Sequence, residues 1–233
     1  MDFILANLPR FLEGAWMTIQ LALFSCSCGL LMGLSRKRLL SSAATGYVFF
    51  FRGTPLLAQI FLIYYGSGQF RHELGALGLW TFFRDPWFCA LLSLTLNTAA
   101  YTSEILRGAI QAIPKGEIEA AKALGLNRYL LLRLVILPRA IRIGWPSYTN
   151  EVVYQIQATS LVSIITIMDI TGVARTVGAR DFTFFEAFGL AALLYLILVY
   201  GFIFVAGRIE KRLGAHLIRP AAVNKPKLAG NIR

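Results

Sequence analysis

The sequence predicts an all-α integral membrane protein with five transmembrane helices, its N-terminus outside and its C-terminus in the cytoplasm. Three observations lead there. Of 233 residues, 57% are hydrophobic and only 15% charged, and the mean hydropathy is +0.62, above what an average soluble domain carries. Runs free of Asp, Glu, Lys and Arg cover 14–35, 53–70, 86–103, 152–168 and 187–207, each near the roughly 20 residues that a helix needs to cross about 30 Å of hydrocarbon. With the N-terminus outside, the segments 36–43, 107–144 and 208–233 hold seventeen of the 23 Lys and Arg, and the outer segments 1–13, 67–85 and 169–186 hold five. That asymmetry is the positive-inside bias. The net charge of +11 therefore reads as topology and attraction to anionic lipid rather than to nucleic acid.

Taken in order, the first span covers 14–35. Asp2, Arg10 and Glu13 replace the positive n-region of a cleaved signal peptide, so this span stays in the mature protein. Gly29 and Gly33 give it a small-xxx-small spacing that allows close helix contact. The second span, 44–66, contains Arg52, with Gly53 and Pro55 allowing a local kink. The third, 86–107, contains Glu104. An ionised side chain in the bilayer is costly unless paired or facing a cavity. At 1.5 Å per residue, Arg52 and Glu104 fall about 12 and 9 Å from the cytoplasmic ends of their spans, so an Arg52–Glu104 ion pair is expected; a snorkelling Arg52 is the alternative. Asn97, Thr98, Tyr101 and Thr102 on this span suit interhelical hydrogen bonds; lining a polar path is their alternative role.

Between the third and fourth spans, 114–138 has a different character. In "KGEIEAAKALGLNRYLLLRLVILP", Glu117 and Glu119 occupy the first turn after Pro114, where carboxylates favour the positive helix end. The alanines sustain the helix, and Gly125 can take the left-handed C-cap. Asn127 then caps a second, more apolar helix that Pro138 is expected to end. Viewed alone, this is an amphipathic hairpin on the membrane surface.

The fourth span, 146–168, is polar on one side. Advancing about 100° per residue from Glu151 places Ser147, Tyr148, Tyr154, Gln155 and Thr159 within about 80° of it, a stripe of hydrogen-bonding groups suited to a polar path and to holding an ammonium against a carboxylate. Glu151, with Asn150, Tyr148, Gln155 and Thr159, is the candidate substrate path; Glu151 paired with a basic group such as Arg142 is the competing reading. The fifth span, 187–207, completes a single domain over 1–218, and the basic tail 219–233 suits a disordered segment. Three cysteines without a CxxC pair argue against a disulfide framework or a zinc site. His72 and His216 lie outside every span, which excludes an intramembrane Ser/His dyad.

Glu119, Ala120, Ala121, Gly125 and then Val135, Ile136, Leu137 and Pro138 resemble the EAA loop of the membrane-spanning subunits of bacterial ABC importers, with Val135 where the family usually has Ile. "FRGTPLLAQIFLIYYG" (51–66), "LTLNTAAYTSEILRGAIQAIPKGEIEAAKALG" (94–125) and "PSYTNEVVYQIQATSLVS" (146–163) extend the resemblance to the polar amino-acid branch, which includes the histidine, lysine, arginine, ornithine and opine importers, over residues 15–210. The resemblance implies a permease subunit in a bacterial inner membrane. Its 114–138 loop would carry a coupling helix seated in a separate ATPase, with Glu119, Ala120, Ala121, Gly125, Leu137 and Pro138 as coupling residues. It implies partners: two ATPase subunits, a second permease subunit, a periplasmic binding protein, and an amino-acid substrate. It implies no cofactor on this chain; ATP and Mg are used by the partner, in keeping with the absence of a GxxxxGK[ST] loop. A self-contained secondary carrier is the rival reading; it predicts an inverted repeat and leaves the 114–138 loop unexplained.

Overall fold

The computed structural model describes residues 2–34 and 41–214, and every element in them is helical. The tail 219–233 and the basic residues Arg36, Lys37 and Arg38 lie outside the described residues. Helix α1 (Asp2–Leu34) is long and runs against α6 (Pro86–Gln111), α9 (Leu137–Ala158) and α10 (Ile170–Asp181). Its approach to α6 is close because Gly29 has no side chain: a Cβ there would lie 2.9 Å from Thr98 Cγ2 and 3.1 Å from the Ala99 nitrogen. The second predicted span is two helices, α2 (Ser41–Gly53) and α3 (Leu56–Tyr64), and the segments Ala44–Gly53 and Leu56–Ala76 bend by 106° at Thr54–Pro55. Short helices α4 (Arg71–Ala76) and α5 (Trp80–Phe83) lead to α6, whose start is fixed by Asp85 accepting from the Trp87 N–H and by Pro86 in the first turn.

After α6 come α7 (Lys115–Ala123) and α8 (Arg128–Leu130), then a π turn over Leu131–Ile136 that runs directly into α9. Pro138 was expected to end a helix; instead it sits in the first turn of α9, where its missing N–H matters least. The widened π turn before it absorbs the register change that a proline imposes on a continuous helix. A 3₁₀ turn, Thr159–Ile165, ends this segment; Thr166 adopts a left-handed φ of 72°, and α10 and α11 (Phe184–Gly214) follow.

Among the described residues four apolar clusters run along the bundle, one of them Ala22 of α1, Ile156 of α9 and Val199 of α11. Phe11 and Ala15 meet Val173, Ala174 and Val177 of α10 and Ala187, Leu190 and Ala191 of α11. Leu21, Leu56, Ile60, Ala90, Leu94, Val162 and Ile165 join α1, α3, α6 and the 3₁₀ turn. Ala109, Ile113 and Ala140 close the end near α7, with Ile118 and Ile136 against them. Leu193, Leu196, Ile197, Ile203 and Phe204 of α11 are exposed, an apolar wall suited to lipid. Among the described residues, Phe184–Leu213 is long and apolar enough to cross a bilayer by itself, and the bent pairs Ala44–Gly53 with Leu56–Ala76 and Arg128–Ile165 with Ile170–Asp181 raise the number to three if each forms one span. Helix α6 is less apolar because it buries Ser93, Thr95, Asn97, Thr98 and Thr102.

Candidate functional site

The site is built around the break between α2 and α3. In a continuous helix the Phe51 carbonyl would accept from the N–H of residue 55, and Pro55 has none. Enclosed by buried side chains, that carbonyl needs another donor. Two side chains supply it: Gln59 Nε2 at 2.9 Å and Asn97 Nδ2, from α6, at 3.1 Å. Gln59 also donates to the Thr54 carbonyl at 3.1 Å and to Thr54 Oγ1 at 2.8 Å, and its Oε1 accepts from Asn97 at 3.0 Å. Thr54 Oγ1 donates to the Phe50 carbonyl at 2.7 Å. Gln59 and Asn97 are both buried, so the clamp is shielded from water and couples the break to α6.

The charges lie just beyond the break. Arg52 Nη1 is 3.7 Å from Glu104 Oε2. The same carboxylate is held much more closely by Arg107 one turn on, with Nε 3.0 Å from both carboxylate oxygens and Nη2 2.6 Å from Oε2. This (i, i+3) pairing is the part that depth matching missed, although the spacing Glu104–Arg107 is the signal for it. The Arg52 guanidinium also stands 5.1 Å from the centroid of the Tyr101 ring, within cation–π range, and Tyr101 pairs with Tyr154 of α9 at 6.4 Å.

Helix α9 divides its polar stripe. Glu151, Gln155 and Thr159 are buried, at 7%, 0% and 0% exposure, on the side facing α1 and α6. Gln155 Nε2 donates to Ser25 Oγ of α1 at 2.9 Å and to the Leu94 carbonyl of α6 at 3.3 Å, while Thr159 Oγ1 donates back to the Ile156 carbonyl. Glu151 Oε1 has no hydrogen-bond partner among the described residues; Thr98 and Arg52 are its polar neighbours. Tyr148 is half-buried, and Asn150 and Tyr154 are exposed. An arc about 160° wide spans both the packed side of a helix and its open edge, which is why a single stripe in the sequence becomes two surfaces. Among the described residues no ion pair joins Glu151 to Arg142, and no group of three or more His, Cys, Asp or Glu could hold a metal ion.

The 114–138 segment forms a compact corner. Gly125 has φ +78°, its N–H bonds to the Lys122 carbonyl, and the Leu126 N–H bonds to the Ala121 carbonyl, the double closure of a left-handed C-cap. Asn127 accepts from the Leu130 N–H at 2.9 Å and so caps α8. Ala121 is buried, Glu119, Ala120, Leu137 and Pro138 are exposed, and Leu124 is 82% exposed. Arg139 Nη2 donates to Glu117 Oε1 at 2.8 Å, tying α7 to the first turn of α9.

A second polar centre was not read from the sequence. Asp169, fully buried, accepts from the Gly172 N–H and from Tyr195 Oη of α11, both at 2.9 Å, and Arg175 Nη2 donates to the Ser163 carbonyl at 2.8 Å. Its signal was the run Asp169-Ile-Thr-Gly172 opening a helix, an N-cap pattern.

A family profile described as "Binding-protein-dependent transport system inner membrane component" matches residues 25–216. The nopaline transport system permease protein NocM of Agrobacterium fabrum is 47% identical over 206 residues, covering 85% of this chain and 86% of that protein. The histidine/lysine/arginine/ornithine transport system permease protein HisM of Escherichia coli is 42% identical over 178 residues, covering 76% and 74%. Among solved structures, an amino acid ABC transporter with histidines aligns with TM-score 0.78 and 30% identity over 90% of this chain and 96% of that one. The MetNI methionine ABC transporter aligns with TM-score 0.72 and 19% identity over 91% and 99%, a likeness of fold alone. The chain therefore belongs to the family of inner membrane components of binding-protein-dependent transport systems.

Proposed function

We propose that this chain carries polar, basic amino acids or related opines inward through a path bordered by the polar side of α9, and that α7 delivers the driving movement. The chain is the permease subunit of an ABC amino-acid or opine importer, and ATP hydrolysis is by separate ATPase subunits. The secondary-carrier reading has no support beside this family membership. In the proposed arrangement residues 1–218 form one domain crossing the inner membrane five times, with the N-terminus outside and the tail 219–233 in the cytoplasm; the excess of Lys and Arg in the inner segments supports that orientation. Two ATPase subunits, a second permease subunit and a periplasmic binding protein complete the assembly, and ATP with Mg stays on the ATPases.

Glu119, Ala120, Ala121, Gly125, Leu137 and Pro138 form the coupling surface. Glu151, with Asn150, Tyr148, Gln155 and Thr159, forms the substrate path, Asn150 at its open edge and the others behind. Arg52 and Glu104 limit each other's charge beside it. The observation that carries this reading is the Glu117–Arg139 pair at 2.8 Å: it joins the exposed corner of α7 to the helix that presents Glu151, so movement imposed on one reaches the other. The test is ATP-dependent uptake of arginine, histidine and octopine into proteoliposomes containing the chain with its ATPase and binding protein. Glu151→Gln is expected to lower uptake at normal membrane levels; uptake at the wild-type rate refutes its place in the path.

A further inference from the structure

We infer that Arg52 is a carboxylate-recognition residue, forming with Tyr101 and Tyr154 an accessible subsite at the helix break for the carboxylate of an amino acid whose ammonium faces Glu151. This rests on the substrate path proposed above and adds to it the opposite pole of the ligand.

The geometry around Glu104 carries the inference. An ion pair made only for stability should close to hydrogen-bond distance, and the carboxylate does so, with Arg107, through three contacts of 2.6 to 3.0 Å. Arg52 is left at 3.7 Å, beyond hydrogen-bond range, with a side chain 42% exposed and no hydrogen bond from its guanidinium among the described residues. Of the two arginines at Glu104, Arg52 is the one whose guanidinium no carboxylate oxygen holds at hydrogen-bond distance, which leaves it able to meet an anion. The planar fork of arginine matches a carboxylate with two parallel hydrogen bonds, and the Tyr101 face 5.1 Å away orients it as a stacking platform. The two tyrosines, 6.4 Å apart, provide the flat wall. Phe49 and Phe50 are exposed on the same helix, and Gly53 adds no side chain beside Arg52, with nothing within 4 Å of the place a Cβ would take, so the approach is open. Glu151, within electrostatic reach of Arg52, has an oxygen with no hydrogen-bond partner among the described residues. One cation on α2 and one anion on α9, two helices that both pack against α6, are the complement of a zwitterion.

The test is equilibrium binding to the assembled permease and ATPase in nanodiscs without the binding protein, so that only the membrane path selects. Radiolabelled arginine is displaced by agmatine, which lacks the carboxylate, or by 2-hydroxy-5-guanidinopentanoic acid, which lacks the ammonium. The wild type is expected to prefer arginine to agmatine by about tenfold or more, since a site built to hydrogen-bond a group discriminates against the analogue lacking it. Arg52→Gln should bring that ratio near one, and Arg52→Lys should restore part of it. A ratio unchanged in Arg52→Gln overturns the proposal. So does an equal loss of arginine and agmatine in both Arg52→Gln and Glu104→Gln, the result of a purely structural pair. Glu151→Gln judges the underlying path separately: arginine binding unchanged in that variant removes the path, whereas a weakened arginine with an intact ratio in Arg52→Gln removes only the carboxylate subsite.

Discussion

Replacing Gln59 by leucine keeps its volume and removes every polar bond it makes. The three donor contacts to the Phe51 carbonyl, the Thr54 carbonyl and Thr54 Oγ1, at 2.9, 3.1 and 2.8 Å, disappear, as does the acceptor for Asn97 at 3.0 Å. The losses are unequal. The Phe51 carbonyl keeps Asn97 at 3.1 Å, and Thr54 Oγ1 keeps its bond to Phe50, so the group left without its side-chain partner is the Thr54 carbonyl. One unsatisfied carbonyl costs about 1–3 kcal/mol, and interhelical hydrogen bonds in membranes measure about 0.6 kcal/mol on average; about 2 kcal/mol is the expected total. Reversible unfolding of the purified chain in mixed micelles measures it, with Gln59→Leu, Asn97→Leu and the double variant forming a cycle. A coupling of about 1 kcal/mol between Gln59 and Asn97 is expected. A single-variant effect below about 0.5 kcal/mol, or additive behaviour in the cycle, refutes the clamp as the reason the broken helix is stable.

Gly125→Val puts a β-branched residue at φ +78°, where L-residues lose about 1–2 kcal/mol; no neighbour lies within 4 Å of the added Cβ, so the chain should fold while substrate-stimulated ATP hydrolysis falls, and normal stimulation counts against the coupling role. Glu117→Gln removes a partly exposed ion pair contributing at most about 1 kcal/mol, so thermal stability should barely move while uptake per ATP hydrolysed drops; unchanged stoichiometry argues that the Arg139 link transmits nothing. Gly172→Ala places a Cβ 2.5 Å from the Ile167 carbonyl oxygen, and since that oxygen is backbone, loss of folded protein in size-exclusion profiles is expected; a normal yield contradicts the tight Ile167–Asp169 turn.

What the sequence disclosed followed from short-range rules. The Gly125 cap needs only a glycine after an alanine-rich helix, and the break at Thr54–Pro55 needs only the missing proline N–H. Long-range partners were harder. Arg52 and Glu104 could be brought near each other by depth, but that Arg107 takes most of the carboxylate required knowing which way Glu104 points. The stripe on α9 was legible as a stripe, whereas its division between the buried Glu151 side and the open Asn150 and Tyr154 edge depends on where α1 and α6 lie. Pro138 misled because a π turn before it is invisible to helical periodicity. Asp169 passed unnoticed since its second partner, Tyr195, is 26 residues away.

The ion pair at the foot of α9 also fixes a length. From Arg139 to Glu151 the helix climbs about 18 Å at 1.5 Å per residue, so tilting its lower end by about 10° sweeps Glu151 sideways by about 3 Å, roughly one hydrogen-bond length. Pro146 lies between the two and omits one backbone bond, the place where that sweep is damped or amplified. In the proposed mechanism a stroke of one hydrogen-bond length trades a ligand's grip for release, so the gear ratio between a partner seated on α7 and the proposed path is set by the number of residues separating one arginine from one glutamate.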